Sequence, residues 1–158
     1  MTENIIVVPG SARVDLTALR AVAGDFGWAV DVAHDLCELA AAQKNRKTVA
    51  VLFSRDAVGS GHSWIGTTMK LKLALPQVRL VACHAFPESI DWPELCDAGA
   101  FHALWLPLKE NEVRRTLGFV WEAEKRIADR IATQPKAPAR SLDLSSSSLQ
   151  VPALVCNA

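Results

Sequence analysis

The chain has no excess of charge of either sign and no long apolar run. Its 158 residues hold 17 Lys and Arg against 17 Asp and Glu, so no net charge draws it toward nucleic acid or an anionic membrane surface. No apolar run approaches the roughly 20 residues that cross a bilayer. The first residues, Met1 to Asn4, lack the basic region that opens a signal peptide. We therefore expect a cytoplasmic protein without a nucleic-acid or membrane partner.

Cysteine is also scarce, and the thiols are scattered. The chain has four, Cys37, Cys83, Cys96 and Cys156. No two of them form a Cys-x-x-Cys pair, and their spacing from His84 and His102 fits no standard zinc site. Isolated thiols of this kind are mostly small buried side chains. The sequence thus implies no metal and no cofactor.

What the chain does contain is a regular alternation of apolar strands and helices. The predicted strands cover residues 4–8, 28–32, 49–53, 78–82 and 103–106. The predicted helices run from a cap at Ser11 to Phe26, from 36 to about 47, from 64 to 75, from 87 to 98 and from 110 to 132. Strands that alternate with helices indicate a parallel sheet covered on both faces. The expected fold is α/β, a three-layer, doubly wound, five-stranded parallel sheet of the flavodoxin-like type.

The composition changes after residue 132. Residues 134–139 hold two prolines, and four consecutive serines follow at 145–148. Such composition is typical of a linker or tail. We expect one domain over residues 1–132 and a Pro/Ser-rich tail over 133–158, in which Val151 to Val155 is either a short docking segment or a chain end.

Parallel α/β sheets bind their ligands at the carboxyl ends of the strands. In this chain those ends fall at Pro9-Gly10, at Ser54 to Asp56, at Cys83-His84 and at Leu106-Pro107. We expect the functional chemistry there.

The stretch from Cys83 to Leu108 resembles the CheY-like receiver domains of bacterial response regulators. Ala98-Gly99-Ala100 precedes the last strand, Pro107 follows it, and the spacing needs no gap. Gly27-Trp28-Ala29-Val30 is similar to the family's step into its second strand. The resemblance extends to the order of elements over residues 4–132. It implies the receiver type of fold and a part in two-component signal transduction and phosphorelay.

The resemblance also implies a degenerate acceptor site. Receivers hold magnesium with two acidic residues after the first strand, and phosphorylate an aspartate at the end of the third. A hydroxyl residue ends their fourth strand and a lysine ends their fifth. The matching positions here are Pro9 and Gly10 (or Gly10 and Ser11), Ser54, Cys83 or His84, and Leu106. A site without carboxylates or lysine predicts a pseudo-receiver that is not an enzyme.

Three other readings of the strand ends stay open. Asp56 becomes the acceptor if the third strand continues through Ser54 and Arg55, which places Arg55 in a buried strand. His84 is either a pH-sensing imidazole or a locally hydrogen-bonded one. The loop Gly59 to Ser63 lacks the Gly-Lys-Ser/Thr ending of a nucleotide-binding loop, which favours an ordinary surface loop.

The surface offers two candidate contacts with other proteins. An interaction face of the last helix pair and the last strand would include Trp92, Phe101, Trp105 and Trp121, because tryptophan is enriched at binding hot spots, although such rings also serve as packing. The final helix carries a seam at Val113, Leu117, Val120, Glu124, Ile127 and Ile131. Its second half has little sheet left to cover and could form a homodimer.

The sequence therefore predicts a binding module that contacts a signalling kinase or effector without conventional aspartate phosphorylation. One alternative is a phosphorylatable receiver that uses Asp56. Another is a small flavodoxin-like enzyme or ligand-binding protein that uses the strand ends around Ser54 and His84.

Overall fold

The computed structural model describes residues 2–59 and 63–135. Over these residues the five strands are β1 (Glu3–Val8), β2 (Ala29–Val32), β3 (Lys47–Phe53), β4 (Arg79–His84) and β5 (His102–Trp105). The five helices are α1 (Thr17–Asp25), α2 (Leu36–Asn45), α3 (Trp64–Ala74), α4 (Trp92–Asp97) and α5 (Glu110–Thr133). The strands pair in parallel in the order β2-β1-β3-β4-β5. The doubly wound α/β fold is thus confirmed.

The sheet separates two apolar cores. Along β1, Ile5 and Val7 face the core that α1 and α5 cover, whereas Ile6 and Val8 face the core under α2, α3 and α4. Successive side chains of a strand point to opposite faces, so an uninterrupted apolar run fills both cores. This explains why the predicted central strands were readable as continuous apolar runs.

Two helix starts were predicted too early. Helix α1 begins at Thr17 rather than after Ser11, and Asp15 accepts hydrogen bonds from the Thr17 N–H and hydroxyl. Helix α4 begins at Trp92 rather than at Pro87, because Asp91 caps it by accepting from the Glu94 N–H. A side-chain cap fixes where α4 begins, whereas α1 has Leu16 at its N-cap without a side-chain cap, and Asp15 bonds to Thr17 just before the helix.

Strands β3 and β4 each extend two residues beyond one of their predicted bounds. Strand β4 continues beyond Ala82 to include Cys83 and His84, and β3 begins at Lys47, which we had assigned to the end of the second helix. The backbone of His84 is held from β5, since the Leu106 N–H donates to the His84 carbonyl over 2.8 Å. Pairing with β5 therefore extends β4 beyond the apolar run that predicted it.

Helix α5 is longer than one face of the sheet needs. Its 24 residues span about 36 Å at the usual rise per residue, and it ends at Thr133, one residue beyond the predicted 132. Residues 136–158, with Cys156 and the apolar segment Val151 to Val155, lie outside the described residues, as do residues 60–62 of the glycine-serine loop. Within the described ranges, none of the helices combines the length and the apolar character that a membrane span requires.

Candidate functional site

The carboxyl ends of the central strands enclose a small cleft. It is a cavity of about 230 Å³. Its lining comprises Ser11, Ala12, Ser54, Arg55, Asp56, Cys83, Ala85, Glu88 and Leu106. The structure therefore brings together most of the strand-end positions that the sequence analysis singled out.

Ser54, which the sequence analysis matched to the acceptor position, stands directly after β3. Its backbone N–H donates to the Val8 carbonyl over 3.2 Å, which joins it to the end of β1. Its Oγ lies 2.6 Å from the Pro9 carbonyl oxygen and 2.9 Å from Asp56 Oδ1. A serine hydroxyl has one proton to donate, so these two acceptors share it. The side chain is buried and tied within the domain.

Asp56 reaches the same cleft by a turn and not by an extension of β3. The strand ends at Phe53, and a turn beginning at Arg55 brings the carboxylate back toward β1. Asp56 Oδ2 accepts from the Ser11 N–H over 3.1 Å and also from the Ser11 hydroxyl. The extension of the third strand through Ser54 and Arg55, on which the acceptor role of Asp56 depended in the sequence analysis, is therefore not observed. The Arg55 side chain remains 42% exposed.

The environment of Asp56 keeps its carboxylate ionised. Burial alone would raise the pKa of Asp56, but hydrogen bonds from the Ser11 and Ser54 side chains and from the Ser11 backbone outweigh it, and the pKa lies below its usual value. Hydrogen bonds to the charged form of an acid favour that form. At neutral pH the cleft thus holds a negative charge fixed by two serines. Sequence reasoning expected Ser11 to cap a helix and so missed this role.

Gly10 makes room for the Asp56 carboxylate. Its φ of +58° places it in the left-handed region, and a Cβ built on it would lie 2.3 Å from Asp56 Oδ1. A side chain at position 10 would therefore displace the carboxylate from its serine partners. The receiver resemblance places an acidic residue at this position. Here the position is occupied by Gly10, and the Asp56 carboxylate packs against its backbone.

The residues of the cleft do not fit the magnesium ion that the resemblance would imply. Magnesium is bound by oxygen ligands, usually carboxylates, whereas Pro9, Gly10 and Ser11 supply none. Both oxygens of Asp56 already accept hydrogen bonds from Ser11 or Ser54. In residues 2–59 and 63–135, no group of three or more His, Cys, Asp and Glu side chains could hold a metal.

At the end of β4, the two candidate side chains face different surroundings. Cys83 lines the cleft, and its burial raises the pKa of the thiol to about 12. His84 is not part of the lining; its ring packs against Trp105 with 4.0 Å between ring centroids. The structure therefore does not bring Ser54 and His84 into one cavity, which removes support from the ligand-binding alternative.

His84 is buried without a local hydrogen bond at one of its nitrogens. Within the described residues, its Nδ1 has no partner. Burial lowers the pKa of His84, and the nearby Glu88 carboxylate partly offsets that effect. The imidazole is neutral at neutral pH on this basis. The local hydrogen bond that the sequence analysis considered for His84 is thus not present at Nδ1.

Leu106 lies where the receiver resemblance expects a lysine. It is partly buried, lines the cleft and precedes Pro107 at the end of β5. Its apolar side chain faces the same cavity as Asp56 and Cys83. The cleft thus has one apolar wall where a cation was expected.

The predicted interaction face is only partly assembled. The His102 ring stands edge-on to both Trp92 and Phe119, with ring centroids 6.3 and 5.8 Å apart respectively. Phe101 and Phe119 line one groove of the same region, and Trp105 is half exposed on β5. We call Trp92, Phe101, Trp105 and Phe119 the aromatic face. Phe119 belongs to it and was missed by the sequence analysis.

Trp121 does not belong to the aromatic face, contrary to expectation. It lines a separate groove with Glu3, Trp28 and Lys47, near the amino ends of β1 and β3. Two residues along a helix correspond to a rotation of about 200° about its axis, so Phe119 and Trp121 lie on nearly opposite sides of α5. The position of a ring around α5 therefore determines whether it can belong to the aromatic face.

The predicted seam of α5 is also divided. Val113, Leu117 and Val120 are fully buried in the core with α1. Glu124 bonds within its own domain, with Lys47 Nζ at 3.0 Å and Arg79 Nε at 3.8 Å. Glu124, the polar residue that interrupts the seam, thus attaches α5 to β3 and β4. Ile127 and Ile131 continue beyond it and are exposed.

Comparison with known proteins adds a fold assignment to this geometry. No protein-family model matches the chain, and no curated protein matches it. Among solved structures, NtrX from Brucella abortus superposes with a TM-score of 0.64 at 20% identity, over 84% of this chain and 29% of that one. A response regulator from Thermotoga maritima gives a TM-score of 0.61 at 15% identity, over 76% of this chain and 98% of the other.

The receiver domain alone of Brucella abortus NtrX gives a TM-score of 0.54 at 20% identity, over 75% of this chain and 98% of that domain. This chain spans less than a third of the longer NtrX chain, so the likeness concerns the receiver part. The protein therefore has the fold of a CheY-like response-regulator receiver domain.

Proposed function

We propose that this protein is a pseudo-receiver that acts in bacterial two-component signal transduction by protein–protein contact, without conventional aspartate phosphorylation. It works in the cytoplasm, it is a binding module and not an enzyme, and its partner is a signalling kinase or an effector. The observation that carries the proposal is that the hydroxyl of Ser54, at the end of β3, shares its proton between Pro9 and Asp56.

The chemistry of phosphoryl transfer supports the proposal. The transferring group needs an unencumbered nucleophile in line and positive charge around its oxygens. In the cleft, the Asp56 carboxylate is held by Ser11 and Ser54. Leu106 supplies no charge, and the residues present do not fit magnesium. Both requirements are therefore unmet by the described residues.

The test is intact-mass spectrometry after incubation with acetyl phosphate and magnesium. We expect no added phosphoryl group in the wild type or in Asp56→Asn, while a receiver with an intact acidic pair and lysine, treated in parallel, is labelled. A single phosphoryl gain in the wild type that disappears in Asp56→Asn would overturn the proposal.

One observation favours the second candidate, a phosphorylatable receiver. The Asp56 carboxylate lies in the cleft, although it is reached through a turn and not along the strand. The same mass measurement decides between the two candidates, because only the second predicts labelling that depends on Asp56.

The aromatic face is the contact we propose for the partner. Trp105 is 50% and Phe119 49% exposed, beside the partly exposed Trp92. Large rings half open to water contribute most when a partner buries them. We expect Trp105→Ala to weaken capture of the partner, whereas Trp121→Ala, on the other side of α5, leaves it unchanged. Equal effects of both changes would contradict this assignment.

A homodimer through the end of α5 is part of the same proposal. Ile127 and Ile131 lie on the helix beyond the contacts of Glu124 with the sheet. Pairing of two such helix ends would remove these side chains from water.

A further inference from the structure

The cleft holds a charge that the described part of the chain does not neutralise. Asp56 receives hydrogen bonds from Ser11 and Ser54, which are neutral donors. Across residues 2–59 and 63–135, no Lys, Arg or His side chain forms an ion pair with it. All three hydrogen bonds that other residues donate to this carboxylate come from uncharged groups. The full negative charge is thus left for another molecule.

The one cation in the cleft lining is already engaged. Arg55 pairs with Glu88 at 3.7 Å, and Glu88 in turn accepts from the Ala85 N–H over 3.4 Å. The charges of this pair cancel, so the lining has a net charge of one negative unit, on Asp56. The cleft is therefore electrostatically complementary to one positive charge.

The remaining walls are apolar. Ala12, Cys83, Ala85 and Leu106 line the same cavity of about 230 Å³, and the Cys83 thiol is protonated at neutral pH because burial raises its pKa to about 12. Apolar walls around one carboxylate suit a ligand with an apolar stem and a cationic tip. Lysine and arginine side chains both have that form.

Geometry distinguishes the two. A guanidinium binds a carboxylate best when it can donate to both oxygens at once. Here Oδ2 accepts two bonds from Ser11 and Oδ1 accepts one from Ser54, so a bidentate approach meets occupied positions. An ammonium is a compact charge that needs a single acceptor. We propose that the cleft binds a lysine side chain from a partner protein, with the ammonium on Asp56 Oδ1 and the stem against Leu106 and Cys83.

This inference deepens the proposed function, on which it rests, by naming the group that a partner presents to the cleft. It assigns the cleft a binding role that is separate from the aromatic face. It also gives Asp56 a role in recognition by charge, without any covalent step. Binding should weaken as salt increases, because the contact is an ion pair near the surface.

The test uses Nα-acetyl-lysine N-methylamide as the probe, added to the full chain labelled with nitrogen-15. We expect saturable shifts of the backbone amide signals of Ser11, Asp56, Cys83 and Leu106. The norleucine analogue, which has the stem without the charge, and the arginine analogue should each bind at least about tenfold more weakly. Equal binding of the norleucine analogue, or no saturable shift with the lysine probe, would overturn the inference.

Variants distinguish the effect of the Asp56 carboxylate on probe binding from the effect of the net charge of the protein. Asp56→Asn should weaken lysine binding by at least about tenfold, whereas Asp97→Asn, the same change at an exposed site on α4, should leave it unchanged. Leu106→Lys provides a cation within the chain and should abolish probe binding while the domain stays folded. Undiminished probe binding in either cleft variant contradicts the inference.

The outcome is independent of the phosphorylation test. Failure of the lysine probe with no labelling by acetyl phosphate removes only the lysine site. Labelling at Asp56 removes the pseudo-receiver itself, whatever the probe does.

Discussion

At the scale of single residues, Asp56 links the loops that follow β1 and β3. Its carboxylate connects Ser11, after β1, with Ser54, after β3. We expect Asp56→Asn to lower the free energy of unfolding by about 1 kcal/mol, since the bonds are charge-assisted but partly open to water. Urea denaturation measures the loss, and Asp97→Asn, with no such bonds in the described structure, should show none.

The stabilisation by Asp56 should depend on pH. The folded pKa of Asp56 is lowered, so its contribution is complete above the unfolded pKa of about 3.9 and is lost as the pH falls through the lower folded value. The difference in stability between the wild type and Asp56→Asn should therefore be constant near neutrality and shrink in acid. A difference that instead grew as the pH fell would show that the carboxylate is strained and not stabilised.

Gly10 provides a second test of the same contact. Gly10 and Gly27 both have positive φ, at +58° and +73°, but a Cβ would meet Asp56 only at Gly10, with nothing within 4 Å at Gly27. Alanine in the left-handed region costs about 1–2 kcal/mol at either position. We expect Gly10→Ala to cost about 1 kcal/mol more than Gly27→Ala, because Asp56 must leave its serine partners. In Asp56→Ala that excess should shrink to the part that comes from Ser54 Oγ, which lies 2.8 Å from the same Cβ.

The limit of sequence reasoning is visible at these residues. The presence of Ser54 and Leu106 in the cleft followed from the predicted strand ends. The partnership of Ser11 with Asp56 did not, because it joins residues 45 apart through a turn whose direction no local pattern specifies. Hydrogen bonds between loops become predictable only when the backbone positions are known.

At the scale of elements, buried strands were easier to predict than helix starts. Residues 49–53 are apolar throughout and lie inside β3. The start of α4 is fixed by the Asp91 cap and not by Pro87, and α1 begins after Leu16 without a side-chain cap and not after Ser11. The rotation of α5 about its axis also determines what Trp121 and Glu124 contact. Sequence spacing alone assigned Trp121 to the aromatic face and Glu124 to a dimer seam, and both assignments were wrong.

Glu124 holds α5 to the sheet, and this contact can be tested. Its side chain is 15% exposed and lies between Lys47 and Arg79. We expect Glu124→Gln to lower the free energy of unfolding by about 1 kcal/mol, given that both cations are partly exposed, and the loss to diminish in about 1 M salt. Glu122→Gln, at an exposed position of the same helix, is the control; an equal loss there would show that helix charge, not the ion pairs, is responsible.

At the scale of the molecule, the alternation of strands and helices was enough to predict the architecture. Right-handed crossovers and burial on both faces leave few arrangements for five such units, and the observed order β2-β1-β3-β4-β5 is one of them. Surfaces are less constrained, because exposure of a ring depends on neighbours from distant segments. The fold was therefore predictable from pattern, whereas the aromatic face and the cleft required coordinates.

The last expectation concerns two molecules and not one. Ile131 is 68% exposed near the end of α5, and Ile127 lies one turn before it. If the helix ends pair, sedimentation equilibrium should give a mass rising with concentration toward twice the chain mass of 17.1 kDa. Ile131→Glu would place like charges at the contact and should keep the protein monomeric. Leu73→Glu, which alters an 83% exposed residue on α3, should not change the association. A monomer at every concentration in the wild type, or dissociation by both changes alike, would remove α5 as the dimer contact.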